Sequence, residues 1–144
     1  MDKFGIISDD FEDGGEIPKR CGYKHGNEEP DITRVSIKNA GTGPWAMIMD
    51  DPDAMAAVGK VWVHWLEYGN TDGDGTPITE GKNDFGEIGY GGPAPPDGRH
   101  TYVFKLYELD TDLDLKEGFS KQELEDAMKG HIIAEAKLTG TYTP

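Results

Sequence analysis

Two histidines, a tyrosine and a pair of carboxylates form a grouping in this sequence whose side chains can do chemistry. The turn Asp51-Pro52-Asp53 follows a run of apolar residues, His64 lies inside a second run, and the segment His100-Thr101-Tyr102 opens a third. A protonated imidazole and a phenol hydroxyl both donate hydrogen bonds, so they can hold an anion. One histidine in an apolar strand is usually a core residue, but two beside a carboxylate turn predict an anion-binding pocket.

A segment rich in glycine and proline is expected to form the rim of this pocket. Residues 69–98 contain nine glycines and four prolines, and they lead directly into the segment that begins at His100. Structureless loops of that length are uncommon in compact domains and are usually functional. Backbone N–H groups in such a loop can cradle an anion, so we expect the loop to contribute them.

The two aspartates of the turn would repel an anion unless their charge is compensated. We expect Asp51 and Asp53 either to hydrogen-bond the histidines or to include one protonated carboxyl, and both arrangements favour an imidazolium that faces the ligand. Affinity for an anion should then fall as the pH rises through the titration range of histidine.

A metal-assisted hydrolase is the alternative function. Two histidines and two aspartates could bind zinc, which would activate a water molecule. However, these four residues lack close helical spacing, and no separate general base is evident. We therefore expect a binding protein without metal or cofactor rather than an enzyme.

Composition and charge exclude several partners. The chain has 144 residues, the usual size of one domain, and 1–144 is interpreted as a single domain. With 28 acidic and 14 basic residues, its formal charge of −14 opposes binding to nucleic acids and to anionic membrane surfaces. No apolar run is long enough for membrane insertion, and the acidic opening residues lack a secretion signal, which predicts a cytoplasmic location.

The elements that position these residues are predicted to be mainly strands. Alternating or continuous apolar runs predict strands, whereas a capping box of Ser120 and Glu123, with Gly130 as a stop, predicts one helix over Ser120–Lys129. Strands dominate without a βαβ rhythm, which predicts an antiparallel β-sandwich. The predicted strands are Asp31–Lys38, Pro44–Met49, Lys60–Tyr68, His100–Leu109 and Ile132–Tyr142.

Strand alternation also sorts the candidate side chains by face. It places His64 with Trp62 and Leu66, and His100 with Tyr102 and Phe104. The three tryptophans, Trp62 included, are expected to be core residues rather than ligand platforms.

Three longer motifs resemble those of a known family. The first extends from Asp51-Pro52-Asp53-Ala54 to the pair His64-Trp65, the second fills Gly86 to Tyr107 almost completely, and the third is the ending from Gly130-His131 to Tyr142. Together they resemble the phosphatidylethanolamine-binding protein family, also called Raf kinase inhibitor proteins, and especially its small bacterial and archaeal members.

The resemblance implies a mostly β fold, a Greek-key β-sandwich with one or two short peripheral helices, and a small cavity for phosphate-like groups. It also implies a small phosphate-bearing ligand, a kinase or protease as a protein target, and no enzymatic activity. It leaves the oligomeric state open, and a homodimer is one of the possible states. The implied ligand-binding residues are Asp51, Asp53, His64, Tyr90, Ala94, His100 and Tyr102. The implied rim residues are Pro52, Trp65, Gly92 and Pro93.

Overall fold

The computed structural model describes residues 4–36, 43–71 and 78–144. The end of the predicted strand Asp31–Lys38 and residues 72–77 of the predicted loop lie outside these ranges. The strands are β1 (Phe4–Ile7), β2 (Gly15–Glu16), β3 (Thr33–Ser36), β4 (Gly43–Asp51), β5 (Trp62–Thr71), β6 (Thr79–Glu80), β7 (His100–Leu109) and β8 (Ile132–Tyr142). The helices are α1 (Ala54–Val58), α2 (Lys121–Met128) and a 3-10 turn at Lys19–Cys21.

Six of the strands form one sheet in the order β2-β8-β7-β4-β5-β6, and β1 pairs with β3 in a separate antiparallel ladder. The mostly β class is therefore confirmed. The pairing is antiparallel except at one short ladder, where β2 runs parallel to β8. The Greek-key sandwich stays a prediction, since the second sheet of the described residues has only two strands.

The six-stranded sheet is apolar on both faces, which explains the continuous apolar run of its central strand β4. Met47 and Met49 point into a cluster on the side of β1, whereas Ala46 and Ile48 point into a cluster beneath α2. All four side chains are buried. The strand that ends at Asp51 is thus fixed from both sides.

The predicted helix is confirmed with its cap. Ser120 Oγ accepts a hydrogen bond from the Glu123 backbone N–H, and Glu123 Oε1 accepts one from the Ser120 backbone N–H, each at 3.0 Å. Leu124 and Met128 bury its apolar face against the sheet. Gly130, with φ of 83°, follows the helix where a left-handed residue stops it.

Two parts of the fold differ from the expectation. The long loop predicted from residue 69 begins later, because β5 continues along β4 until Thr71 pairs with Gly43, and β6 forms a short strand inside the predicted loop. The turn Asp51-Pro52-Asp53 leads into α1, a helix whose position no local pattern indicated. It ends at Gly59, whose φ of 81° favours glycine.

Within the ranges that the structure describes, no helix has the length and apolar character needed to cross a membrane.

A buried ion pair ties the β1–β3 ladder to the large sheet. Arg34 on β3 donates to Glu67 on β5, and its guanidinium lies 4.2 Å from the ring centre of Trp45. The carboxylate of Glu67 is almost fully buried. Burial raises the pKa of Glu67 to about 7, although the neighbouring Arg34 opposes this rise.

Replacing Glu67 with glutamine should flatten the pH dependence of the free energy of unfolding. The folded protein binds this proton more tightly than the unfolded chain, whose glutamate pKa is about 4.3. The contribution of Glu67 to stability is therefore lost as the pH rises towards 7. When the pH is raised from 5 to 8, the free energy of unfolding of Glu67→Gln should increase relative to that of the wild type by on the order of 2 kcal/mol.

Urea unfolding at both pH values measures this gain. Glu125→Gln, an exposed glutamate of α2, serves as the control and should show no comparable change. A difference between Glu67→Gln and the wild type that stays constant with pH would contradict the assignment.

Candidate functional site

A cavity of about 220 Å³ lies at the end of the sheet where β4 finishes and β7 begins. It is bounded by α1, by β5 and by the glycine/proline-rich loop that precedes β7. Its lining residues are Asp51, Ala54, Ala57, Val58, Trp62, His64, Phe85, Ala94, Pro96, His100 and Tyr102. The structure thus brings together five of the seven ligand-binding residues expected from the sequence.

A β-bulge in β5 turns His64 towards this cavity. Trp65 pairs with Met49 and Val63 pairs with Asp50, so His64 is the extra residue between them. Bulges are frequent beside functional sites, where they redirect a side chain. The expected shared face of His64 and Leu66 is therefore wrong: Leu66 packs beneath α2, on the opposite side of the sheet.

His64 is buried and is held in one orientation. Its Nδ1 lies 2.6 Å from the carbonyl oxygen of Gly91, so Nδ1 carries the proton and donates. Its ring makes T-shaped contacts with the rings of Tyr102 and Phe85, at interplanar angles of 82° and 67°. Burial lowers the pKa of His64 despite the Gly91 carbonyl, which favours a neutral ring whose Nε2 is an acceptor.

His100 has the opposite charge preference because two carboxylates hold it. Its Nδ1 lies 2.6 Å from Asp51 Oδ2, and its Nε2 lies 2.6 Å from Asp97 Oδ1. Burial lowers the pKa of this imidazole, but the two carboxylates outweigh burial and raise the pKa above its ordinary value. The expected histidine pair therefore combines one neutral ring with one favoured as imidazolium.

Three polar atoms of cavity-lining residues are buried without a hydrogen-bond partner among the described residues. They are Asp51 Oδ1, the Tyr102 hydroxyl and Trp62 Nε1. Burial and the nearby Asp51 carboxylate raise the pKa of Tyr102, so its hydroxyl keeps its proton. Buried polar atoms are rarely left unpaired, so these three are suited to a ligand that supplies both donors and acceptors.

Two of the residues expected to bind the ligand do not line the cavity. Asp53 is exposed and accepts a hydrogen bond from the Thr101 backbone N–H at 2.8 Å, which ties the start of α1 to β7. Tyr90 is buried and donates to the Cys21 carbonyl at 2.8 Å, which anchors the loop. Both residues support the site without bordering it.

The expected rim residues also lie outside the cavity lining. Pro52 is exposed at the turn, and Trp65 is buried against Tyr90 with its indole N–H donating to Glu80 at 3.0 Å. Pro93 borders a separate small cavity behind the loop. Gly92 packs so closely against the Cys21 carbonyl oxygen that a Cβ would lie 2.0 Å from it.

The expectation that the loop cradles an anion with its backbone is not supported at three of its glycines. The Gly89, Gly91 and Gly92 N–H groups donate to Gly81, His64 and Asn27 respectively. These groups hold the loop against the sheet, which leaves none of the three for a ligand.

Sequence reasoning missed part of the lining and one partner of His100. Trp62, expected in the core, borders the cavity; its position two residues before His64 on the same face was the available signal. Phe85 and Pro96 come from the loop, and Ala57 and Val58 from the unexpected helix α1, so no periodicity indicated them. Asp97 lies only three residues before His100, a spacing that offered a signal.

Of the candidate metal ligands, His100 is held through both ring nitrogens, whereas His64 is held through one. Both ring nitrogens of His100 contact carboxylates, and Nδ1 of His64 contacts a carbonyl oxygen. Among the residues the structure describes, no three or more His, Cys, Asp or Glu side chains are arranged to hold a metal ion.

Comparisons with known proteins agree with this architecture. An archaeal relative, the UPF0098 protein of Methanothermobacter thermautotrophicus, is 40% identical over 92% of this chain and 93% of its own length. The UPF0098 protein of Chlamydia trachomatis is 36% identical over 95% of this chain and 97% of its own.

Two solved structures have the same fold. CT736 of Chlamydia trachomatis, a phosphatidylethanolamine-binding protein homolog, superposes with a TM-score of 0.86 at 33% identity, covering 99% of this chain and 98% of its own. Escherichia coli YbcL, a member of the mammalian PEBP family, superposes with a TM-score of 0.82 at 26% identity, covering 96% of this chain and 97% of its own. The family model for phosphatidylethanolamine-binding protein matches residues 7–143. This chain therefore belongs to the phosphatidylethanolamine-binding protein family.

Proposed function

We propose that this protein binds a small phosphate-bearing ligand in the cavity between β4, β5 and β7 and does not transform it. The observation that carries the proposal is the set of three buried polar atoms without a hydrogen bond of normal geometry on one small cavity, beside a histidine held by its other nitrogen. Family membership supports a binding role.

The size and walls of the cavity limit the ligand. A volume of about 220 Å³ is below the range of roughly 300–1,000 Å³ usual for drug-sized ligands, so a head group fits and an acyl chain does not. Ala54, Ala57 and Val58 of α1 form an apolar wall beside the polar atoms. A phosphate monoester with a short organic group, such as phosphoethanolamine, matches this combination.

The charge state of His64 determines how the phosphate is held. In its neutral tautomer, Nε2 is an acceptor, so it can pair with a phosphate oxygen only if the ring is protonated or that oxygen carries a proton. The Tyr102 hydroxyl and the Trp62 indole N–H supply neutral donors. Binding of a fully deprotonated anion by this route is linked to proton uptake by the ring.

The regulatory and cellular parts of the proposal go beyond the site itself. We include a kinase or protease as the protein target, as the family resemblance implies, and a cytoplasmic location. The metal-assisted hydrolase would have to hold its metal without His100, because both ring nitrogens of His100 contact carboxylates. Stoichiometric zinc in protein purified without added metal, lost in His64→Ala, would replace the binding proposal with the enzyme.

Removing one donor or one charge-carrying group from the cavity should weaken binding selectively. Tyr102→Phe and His64→Gln should each reduce affinity for phosphoethanolamine and inorganic phosphate by roughly ten- to a hundred-fold, because hydrogen bonds to charged groups contribute about 1.5–3 kcal/mol. Isothermal titration calorimetry measures both ligands.

His131→Gln is the matched control for this comparison. His131 also contacts an aspartate, with Nδ1 2.8 Å from Asp110 Oδ1, but it lies outside the cavity. The His131→Gln variant should bind phosphoethanolamine and inorganic phosphate with the affinity of the wild type. Equal affinity in all three variants would remove the site assignment, and no binding by the wild type at millimolar ligand would remove the proposed function.

Affinity for an anion should fall as the pH rises. Because the pKa of free His64 is lowered, the ring takes up its proton only below its ordinary range of about 6.5, and a bound anion raises that pKa. Affinity is thus highest at the acidic end and is lost as the pH passes the pKa of the bound state.

Sulfate separates this effect from the titration of phosphate itself, because sulfate keeps a constant charge between pH 5.5 and 8.5. The decline of sulfate affinity with rising pH should be present in the wild type and much smaller in His64→Gln. A flat affinity for sulfate across that range would contradict the role of His64.

A further inference from the structure

Asp97 is the feature of the site that the proposed function leaves unexplained. It follows Pro96 in the loop and precedes Gly98, whose φ of 139° gives the chain a sharp change of direction. Its side chain is 53% exposed, whereas that of its partner His100 is 5% exposed. An exposed loop carboxylate therefore reaches a buried imidazole that borders the ligand cavity.

This contact leaves His100 without a free hydrogen-bond donor. Its two ring nitrogens lie 2.6 Å from Asp51 Oδ2 and 2.6 Å from Asp97 Oδ1. An imidazolium has two N–H groups, and both are used. An anion in the cavity can gain a hydrogen bond from His100 only if one of the two carboxylates leaves.

Of the two carboxylates, Asp97 is the one that can leave. The side chain of Asp51 is 4% exposed and belongs to a strand paired on both edges, so withdrawal would leave a buried charge without its partner. The charge of Asp97 is already half in water, and ion pairs at such positions contribute little to stability.

The charge balance of the site leads to the same conclusion. One imidazolium between two carboxylates carries a net negative charge, and the cavity lining contains no lysine or arginine among the described residues. An additional anion would be repelled. Exchange of Asp97 for a monoanion leaves the local charge unchanged.

On the basis of the proposed phosphate-binding function, we propose that Asp97 is an internal competitor of the ligand. Its carboxylate occupies the Nε2–H of His100 in the free protein, and the anionic group of the ligand replaces it on binding. Asp97 is then a specificity-determining residue, because a neutral ligand cannot displace it and gains nothing from His100.

The test is Asp97→Asn, with inorganic phosphate as the probe. The uncharged amide competes less well for the imidazolium than a carboxylate, so affinity for phosphate should rise about tenfold, as hydrogen bonds between charged partners are the stronger ones. Asp97→Ala, which removes the carboxylate acceptor, should also raise the affinity for phosphate. Asp110→Asn, which alters the equivalent contact of His131, is the matched control and should leave phosphate affinity unchanged.

Nuclear magnetic resonance of the histidine ring nitrogens gives an independent readout. Saturating phosphate should shift the Nε2 signal of His100 in the wild type, because its acceptor changes, and should leave the Nδ1 signal nearly constant. A purely structural role for Asp97 predicts no Nε2 change on ligand binding.

The outcomes separate this inference from the proposed function. If the wild type binds phosphate and both Asp97 variants bind it equally or more weakly, the competitor role of Asp97 is overturned and the proposed function stays intact. Absence of phosphate binding in the wild type and in both variants would overturn both. Tighter binding in both variants, with a wild-type Nε2 shift, supports both.

Discussion

The register of β4 between β5 and β7 is the constraint on which the site depends. Asp51 pairs with Trp62, and Asp50 pairs with Val63 on one edge and with Val103 on the other. Hydrogen bonds on both edges and apolar packing on both faces fix this central strand. Carboxylate, indole, imidazole and phenol groups that are far apart in the chain therefore meet at one end of the sheet.

A site built in this way can combine opposite electrostatic environments within a few ångströms. His64 is surrounded by aromatic rings and a carbonyl, and burial favours its neutral form. His100 is held by two carboxylates, which favour its charged form. The protein has a formal charge of −14, yet these two carboxylates favour a protonated imidazole next to the cavity. Local hydrogen bonding decides the character of the pocket more than net charge does.

Much of this could be predicted from the sequence, and the exceptions have physical causes. Strand β7 matches its predicted range, and the helix α2 has the predicted cap, because alternation and capping are local signals. The bulge at His64 was not predictable, since it depends on the pairing of β5 with another strand. Asp53 was expected at the ligand and instead holds the Thr101 backbone, a contact that depends on the tertiary arrangement.

The lining of the cavity was the least predictable part. Phe85, Pro96 and the residues of α1 are brought there by loops whose course is set by buried polar contacts. Asn83, for example, accepts the backbone N–H groups of Phe85 and Glu87 and donates to the Gly89 carbonyl. No periodic pattern in the sequence indicates this role of Asn83, so only the structure could identify it.

The bulge in β5 has a consequence for how such a site can arise or disappear. Because one extra residue separates two regular ladders, each ladder keeps its own register and its own apolar face. Deleting that single residue would restore continuous pairing along β5 and would remove the imidazole from the cavity without moving Trp65 relative to Met49. The candidate site therefore depends on the bulge and not on the pairing of either ladder alone.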